Sequence, residues 1–194
     1  MILITVGTEK FPFNRLMQWV DELIQSKFID LAQEEVVIQY GSCTVIPKQG
    51  QSYDVLPAVD FKALLAEARL IISHCGEGSF DLLAQINKPF ILVPRSHQFG
   101  EHVDDHQIEL AKALQQKGVN VAQCPGDLVR FLINPVTVNI AETPTQYYQK
   151  ASQLLSKEAG KLSQAKPAVK GMGLLGRVYE SFTQRLGNLV PHFG

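Results

Sequence analysis

The chain has 194 residues, 45% of them apolar and 19% charged, with a formal net charge of −1. That composition suits one globular domain with a buried core and an appendage, and it excludes both a disordered chain and a whole-protein attraction to nucleic acid. No apolar run approaches the roughly 20 residues that cross a bilayer as a helix. The charge is uneven. From Pro144 onward there are seven Lys/Arg against two Asp/Glu, a tail of +5, which leaves −6 for residues 1–143. An acidic body with a basic tail points to two separate tasks. The opening MILITVG has no basic stretch before its apolar run and reads as a strand rather than a signal peptide. Cys43, Cys75 and Cys124 are odd in number and widely spaced, which argues for neither a disulfide framework nor a zinc site. A reducing, cytoplasmic setting is the expectation.

Residues 2–6 form a β-branched apolar run, the pattern of a strand buried on both faces. Phe13, Leu16, Met17, Val20, Leu23 and Ile24 recur at helical spacing, so 12–26 is predicted to be an amphipathic helix. Residues 36–40 read as a second strand ended by Gly41, and 52–56 as a short third one stopped by Pro57. Asp60 can cap a helix over 61–68 that turns Phe61, Leu64 and Leu65 inward. A fourth strand, 70–73, leads into the loop His74-Cys75-Gly76-Glu77-Gly78-Ser79 and a helix over about 79–86. Lys88-Pro89 opens a fifth strand at 90–93, closed by Pro94. A loop to about His102 precedes a helix over 104–117, ended by Gly118. Residues 119–122 are predicted to be a sixth strand and 127–133 a short helix.

Strands and helices alternate throughout this region, which predicts an α/β fold: one Rossmann-like, mostly parallel sheet with helices on both faces. Residues 1–140 are assigned to that domain. Residues 141–194 are read as a basic helical extension: a polar helix over 145–164, a linker from Lys166 to Gly176, and an apolar face from Leu174 to Leu186. Parallel sheets of this kind bind ligands beyond the carboxyl ends of their strands. The informative loops are therefore 7–11, 74–79 and 94–107.

In the second of these, Gly76 and Gly78 let the backbone approach a ligand, and the following helix offers free N–H groups to an anion such as a pyrophosphate. The same glycines would also serve a tight turn alone. His102, Asp104, Asp105, His106 and Gln107 crowd a loop-to-helix junction, where Gln107 can pair with sugar hydroxyls and His106 and Asp105 can do likewise. Either aspartate can instead be a helix cap. His102 and His106 have the i, i+4 spacing of helical zinc ligands, but Val103 stands where HExxH carries Glu, so no metal is expected. Arg95 can grip a phosphate or a carboxylate in bidentate fashion, or simply be a solvated loop residue. Gly7-Thr8 taken alone is a turn.

Together, Val6-Gly7-Thr8 with Phe11, Ile72-Ser73-His74-Cys75-Gly76-Glu77-Gly78-Ser79, Lys88-Pro89, Val93-Pro94-Arg95, Phe99-Gly100-Glu101-His102 and Asp105-His106-Gln107 resemble the C-terminal domain of family 28 glycosyltransferases. The match in order and spacing covers about residues 1–130. The resemblance extends to two branches. One is the soluble subunit of the two-part N-acetylglucosaminyltransferase acting on dolichol-linked oligosaccharide. The other, nearer in the Pro-Arg…Asp-His-Gln run, is the small subunit of bacterial exopolysaccharide glucuronosyltransferases.

The resemblance implies the C-terminal half of a GT-B fold and an inverting transfer from a UDP-sugar, with glucuronate the first choice of sugar and N-acetylglucosamine the second. It implies a polyprenyl-diphosphate-linked acceptor held by a separate, membrane-anchored subunit, a location at the inner face of the membrane through that partner, and no cofactor. It places Gly7 and Thr8 near the donor phosphates. His74, Gly76, Gly78 and Ser79 surround the diphosphate and sugar, and Arg95 lies near the uracil or sugar. His106 and Gln107 reach the sugar hydroxyls, with His102 and Asp105 beside them. One position departs from the family: Leu82 stands where many members carry the Glu that holds the ribose, with Asp81 beside it pointing elsewhere on a regular helix, and the exopolysaccharide branch often lacks that Glu. A non-catalytic nucleotide-sugar-binding regulatory subunit and a UDP-sugar isomerase on the same fold are the rival functions.

Overall fold

In the computed structural model, residues 1–138 are described, and the expected tail helices and linker lie outside them. Five parallel strands form one sheet in the order β3-β2-β1-β4-β5. They are β1 (Ile2–Thr5), β2 (Val36–Gln39), β3 (Gln51–Tyr53), β4 (Leu70–His74) and β5 (Phe90–Val93). Five helices connect or follow them: α1 (Asn14–Gln25), α2 (Ala58–Glu67), α3 (Glu77–Ala84), α4 (His106–Gln116) and α5 (Pro125–Ile133). This is the expected Rossmann-like α/β sheet.

Side chains alternate across the strands and sort into two cores. Ile2, Ile4, Leu70, Ile72, Ile91 and Val93 point to one face, where Leu16, Met17, Val20, Leu23 and Ile24 of α1 and Leu128 and Leu132 of α5 cover them. Leu3, Ile71, Phe90 and Leu92 point to the other, under Leu65 of α2, Phe80 and Leu83 of α3, and Ala111 and Leu114 of α4. Each fully buried Leu, Ile or Phe stabilises the fold by about 1.5–3 kcal/mol, which is why β1, β4 and β5 read as mainly apolar runs, whereas the edge strand β3 does not.

Several boundaries differ from the sequence reading. The third strand ends at Tyr53, and beyond it the Asp54 carbonyl accepts from Gly41 N–H and from the Gln39 side-chain amide. Helix α2 starts at Ala58, directly after Pro57, so Asp60 is not its cap; it lies in the first turn, where its charge suits the positive helix end. Residues 119–122 make only a single bridge, Leu92 to Val121, instead of a sixth strand. The chain then turns at once into α5, with Pro125 in the first helical turn.

The consequential shift is at α3. It begins at Glu77, two residues earlier than expected, with Gly76 as its extended N-cap. Gly78 and Ser79 therefore belong to the first helical turn rather than to a loop. The strand order reverses direction between β1 and β4, the point where a parallel sheet opens a crevice at its carboxyl edge.

Candidate functional site

That crevice is a pocket of about 720 Å³, a volume typical of small-molecule sites. Its wall includes Gly7, Thr8 and Glu9 after β1, Gln39 at the end of β2, His74 to Ser79 after β4, and His102, Asp104, His106 and Gln107. Leu56, Ala58 and Phe61 add an apolar side. Three stretches far apart in sequence thus meet, as the reading of the loops required.

Two helices begin at the pocket. The N–H groups of Glu77, Gly78 and Ser79 have no helical acceptor, and none is bonded elsewhere among the described residues. Helix α4 starts with His106 and Gln107, both in the wall. Each helix end carries a partial positive charge, and together they suit an anionic ligand.

The His74 ring forms part of the floor. It is 6% exposed and lies against the backbone of two glycines. A Cβ on Gly7 would sit 2.5 Å from its Cε1, and one on Gly76 would sit 2.7 Å from its Nε2. Gly7 also has φ +76°, so both conformation and space demand glycine there. Burial, then the nearby Arg95 guanidinium, then His102 push the His74 pKa down to about 4. At neutral pH the ring is an uncharged hydrogen-bonding group, with Nε2 3.4 Å from the Ser79 hydroxyl.

Gln39, which the sequence reading passed over, clamps the Gly7 loop. Its Oε1 accepts from the Thr5 hydroxyl at 2.6 Å and from Gly7 N–H at 3.1 Å. Its Nε2 donates to the carbonyls of Gly7 and Asp54, both at 2.9 Å. The available signal was a single polar residue closing an otherwise apolar strand.

Arg95 requires a correction. It is fully buried beneath the pocket and does not line it. Nη1 donates to the carbonyls of Phe11 and Glu101 at 2.6 and 3.1 Å, and Nη2 to that of Val6 at 2.7 Å, while the guanidinium stacks on Phe13 at 4.9 Å. Arg95 therefore ties the loop after β1 to the loop after β5 instead of gripping a ligand. Arg15 does related work, donating to both carboxylate oxygens of Glu101 at 2.9 and 2.7 Å and to the Pro94 carbonyl.

Asp105 is also outside the pocket wall. Its carboxylate accepts from His97 N–H at 2.9 Å and faces the Ser96 hydroxyl, so it holds the turn at His97–Phe99. Asp104 does face the pocket, and its carboxylate accepts from His106 N–H at the start of α4. Gln107 lines the wall, but its Oε1 accepts from Arg95 N–H at 3.2 Å, which leaves the amide nitrogen as the group to offer a ligand. Leu82 packs into the second core, and neither it nor Asp81 reaches the pocket.

The family model described as the glycosyltransferase family 28 C-terminal domain matches residues 1–166. The chain belongs to that family. Among its relatives are the UDP-N-acetylglucosamine transferase subunit ALG13 of Homo sapiens, 29% identical over 136 residues, and that of Mus musculus, 30% identical over 141. These alignments cover 64% and 67% of this chain but only 12% of each relative, so the chain spans about an eighth of their length. A solved structure titled as the glycotransferase of kitacinnamycin is similar at a TM-score of 0.46 and 16% identity, over 69% of this chain and 34% of that one. Within the family 28 domain, then, the crevice at the strand reversal is the candidate site. No helix among the described residues is long and apolar enough to cross a membrane.

Proposed function

We propose that the chain is the donor-binding subunit of a two-part, inverting glycosyltransferase, which transfers a sugar from a UDP-sugar to a polyprenyl-diphosphate-linked acceptor in polysaccharide biosynthesis. The observation that carries this is the pairing of two helix N-termini on one pocket, with the unbonded N–H groups of Glu77, Gly78 and Ser79 in its wall. Those groups suit a diphosphate. They bind the charge in the donor and stabilise it more strongly as it grows on the departing UDP, which is how a preorganised dipole lowers a barrier. Gln107, through its amide nitrogen, takes the sugar hydroxyls, and the apolar side at Leu56, Ala58 and Phe61 takes the uridine.

The acceptor and the base that activates its hydroxyl belong to a membrane-anchored partner, which brings this chain to the inner membrane face. Residues 141–194 are the segment proposed to touch that partner or the lipid surface, in line with the +5 charge from Pro144 onward. Of the two sugars suggested by the resemblance, the lining favours N-acetylglucosamine over glucuronate. Glu9, Glu77 and Asp104 line the pocket, and no Lys or Arg among the described residues does, so a sugar carboxylate, added to the charge of the diphosphate, meets repulsion. The relatives named as UDP-N-acetylglucosamine transferase subunits support the same choice.

The test is transfer of radiolabelled sugar from UDP-N-acetylglucosamine and from UDP-glucuronate to a polyprenyl-diphosphate-linked sugar, with the chain alone and with host membranes. Transfer only with membranes present supports the proposal. Turnover of the nucleotide sugar by the chain alone would point to an isomerase, and binding without transfer in either setting to a regulatory subunit.

A further inference from the structure

We propose that His102 and His106 are the cations of the donor site: imidazoles carried on the two oxygens of Asp104, which become protonated as the diphosphate binds. This rests on the donor-site reading above. A diphosphate brings two negative charges into a pocket whose wall already holds Glu9, Glu77 and Asp104. Helix ends supply only partial charges. Arg95 is buried on backbone carbonyls and Arg15 is engaged with Glu101. His74 is kept neutral by burial.

That leaves the pair on Asp104. His102 Nδ1 is 2.9 Å from Asp104 Oδ1, and His106 Nδ1 is 3.3 Å from Oδ2. The His102 side chain is 18% exposed and that of His106 75%, and both line the pocket. The His106 backbone N–H, then the bond from His102, hold the Asp104 carboxyl below its ordinary range, so it stays anionic. With Nδ1 of each ring turned to the carboxylate, each Nε2 has no hydrogen-bond partner among the described residues. His102 Nδ1 also lies 3.4 Å from the Asp104 backbone N–H. With its proton on Nδ1, facing the carboxylate, a neutral imidazole presents an acceptor at Nε2, whereas a protonated one presents a donor that a phosphate oxygen can use.

Other charged and titratable groups around the pair are few. His102 packs on the Phe11 ring at 6.2 Å, with the Lys10 ammonium 5.3 Å from that ring. His97 Nδ1 meets the His102 carbonyl, and the Asp105 carboxylate is turned to His97 and Ser96. Glu109 lies one turn along α4, and His74, Glu9 and Glu77 share the wall. The bound diphosphate outweighs this surrounding and favours the imidazolium on both rings, so binding takes up protons and weakens as pH rises.

The experiment is calorimetric titration of the full chain with UDP-N-acetylglucosamine in buffers of different ionisation heat, at about pH 6, 7 and 8, the range in which histidine changes charge. Its doubly esterified diphosphate does not titrate there, so any proton exchanged belongs to the protein. Expected is a net uptake of more than one and at most two protons per ligand at the upper end, with affinity falling there by up to about 10-fold per pH unit for each proton taken up. The double variant His102→Gln, His106→Gln, checked for an unchanged melting temperature, should bind more weakly, without uptake and with a flat pH profile. Binding without uptake in the wild type, or uptake that survives in the double variant, would overturn the inference while leaving the donor site intact. No binding at any of these pH values would sink both.

Discussion

Gln39 and Gly7 exchange two hydrogen bonds, from Gly7 N–H to Oε1 at 3.1 Å and from Nε2 to the Gly7 carbonyl at 2.9 Å. One side chain thereby satisfies both polar groups of the peptide that must bend over His74. Replacing Gln39 with Leu leaves the Gly7 carbonyl without a partner in a part-buried site, removes the acceptor of the Thr5 hydroxyl, and leaves Gly7 N–H only its 3.3 Å bond to Thr5 Oγ1. We expect a loss of about 2–3 kcal/mol in urea unfolding, with weaker UDP-sugar binding. An unchanged unfolding midpoint would show that the clamp contributes nothing.

Gly7→Ala should destabilise by about 2 kcal/mol, from a positive φ and a Cβ driven into the His74 ring. The steric part depends on His74 and the φ part does not. In a double-mutant cycle, His74→Ala should therefore recover part of the Gly7→Ala loss, with a coupling of about 1 kcal/mol. Strict additivity would mean that the ring moves aside freely.

Arg95→Lys tests the reassignment of that residue. Lysine cannot serve the carbonyls of Val6, Phe11 and Glu101 together, so stability should fall by roughly 2–4 kcal/mol in thermal or denaturant unfolding. A ligand-gripping arginine would instead lose affinity with stability unchanged.

His74 also makes stability depend on pH. Its folded pKa, about 4, is below the unfolded value of 6.5. The native state therefore carries fewer protons between these values, and stability falls as pH drops through the window. The slope attributable to this one group is about 1.4 kcal/mol per pH unit, none of it above the unfolded value. Comparing the wild type with His74→Gln isolates it: the difference in unfolding free energy should grow in the variant's favour from about pH 6.5 down to about pH 4. Parallel curves over that range would contradict the buried, neutral ring.

The sheet was legible because β1, β4 and β5 are buried on both faces and are mainly apolar, and because the apolar face of α1, from Leu16 to Ile24, recurs at helical spacing. Gly7, Gly76, His74 and Gln107 were legible from loop chemistry and from family resemblance. Arg95 was not. A lone arginine after a strand carries no sign that its partners are the carbonyls of Val6, 89 residues earlier, and of Phe11, 84 earlier. The Arg15–Glu101 pair, 86 residues apart, is equally silent in sequence. Residues 119–122 were read as a strand because propensity cannot tell that the neighbouring chain permits only one bridging pair.

The proposed donor site requires a diphosphate against the first turn of α3. A Cβ added at Gly78 would meet no atom within 4 Å, so Gly78→Ala should leave the fold intact or slightly stabilise the helix, and place a methyl in the space the ligand needs. Titrating wild type and Gly78→Ala with UDP-N-acetylglucosamine, alongside thermal unfolding of each, is the decisive measurement. Expected are binding to the wild type, affinity lowered about 10-fold or more in the variant, and a melting temperature no lower than before. Equal affinity in the two proteins, or no binding to the wild type, would contradict the proposed donor site.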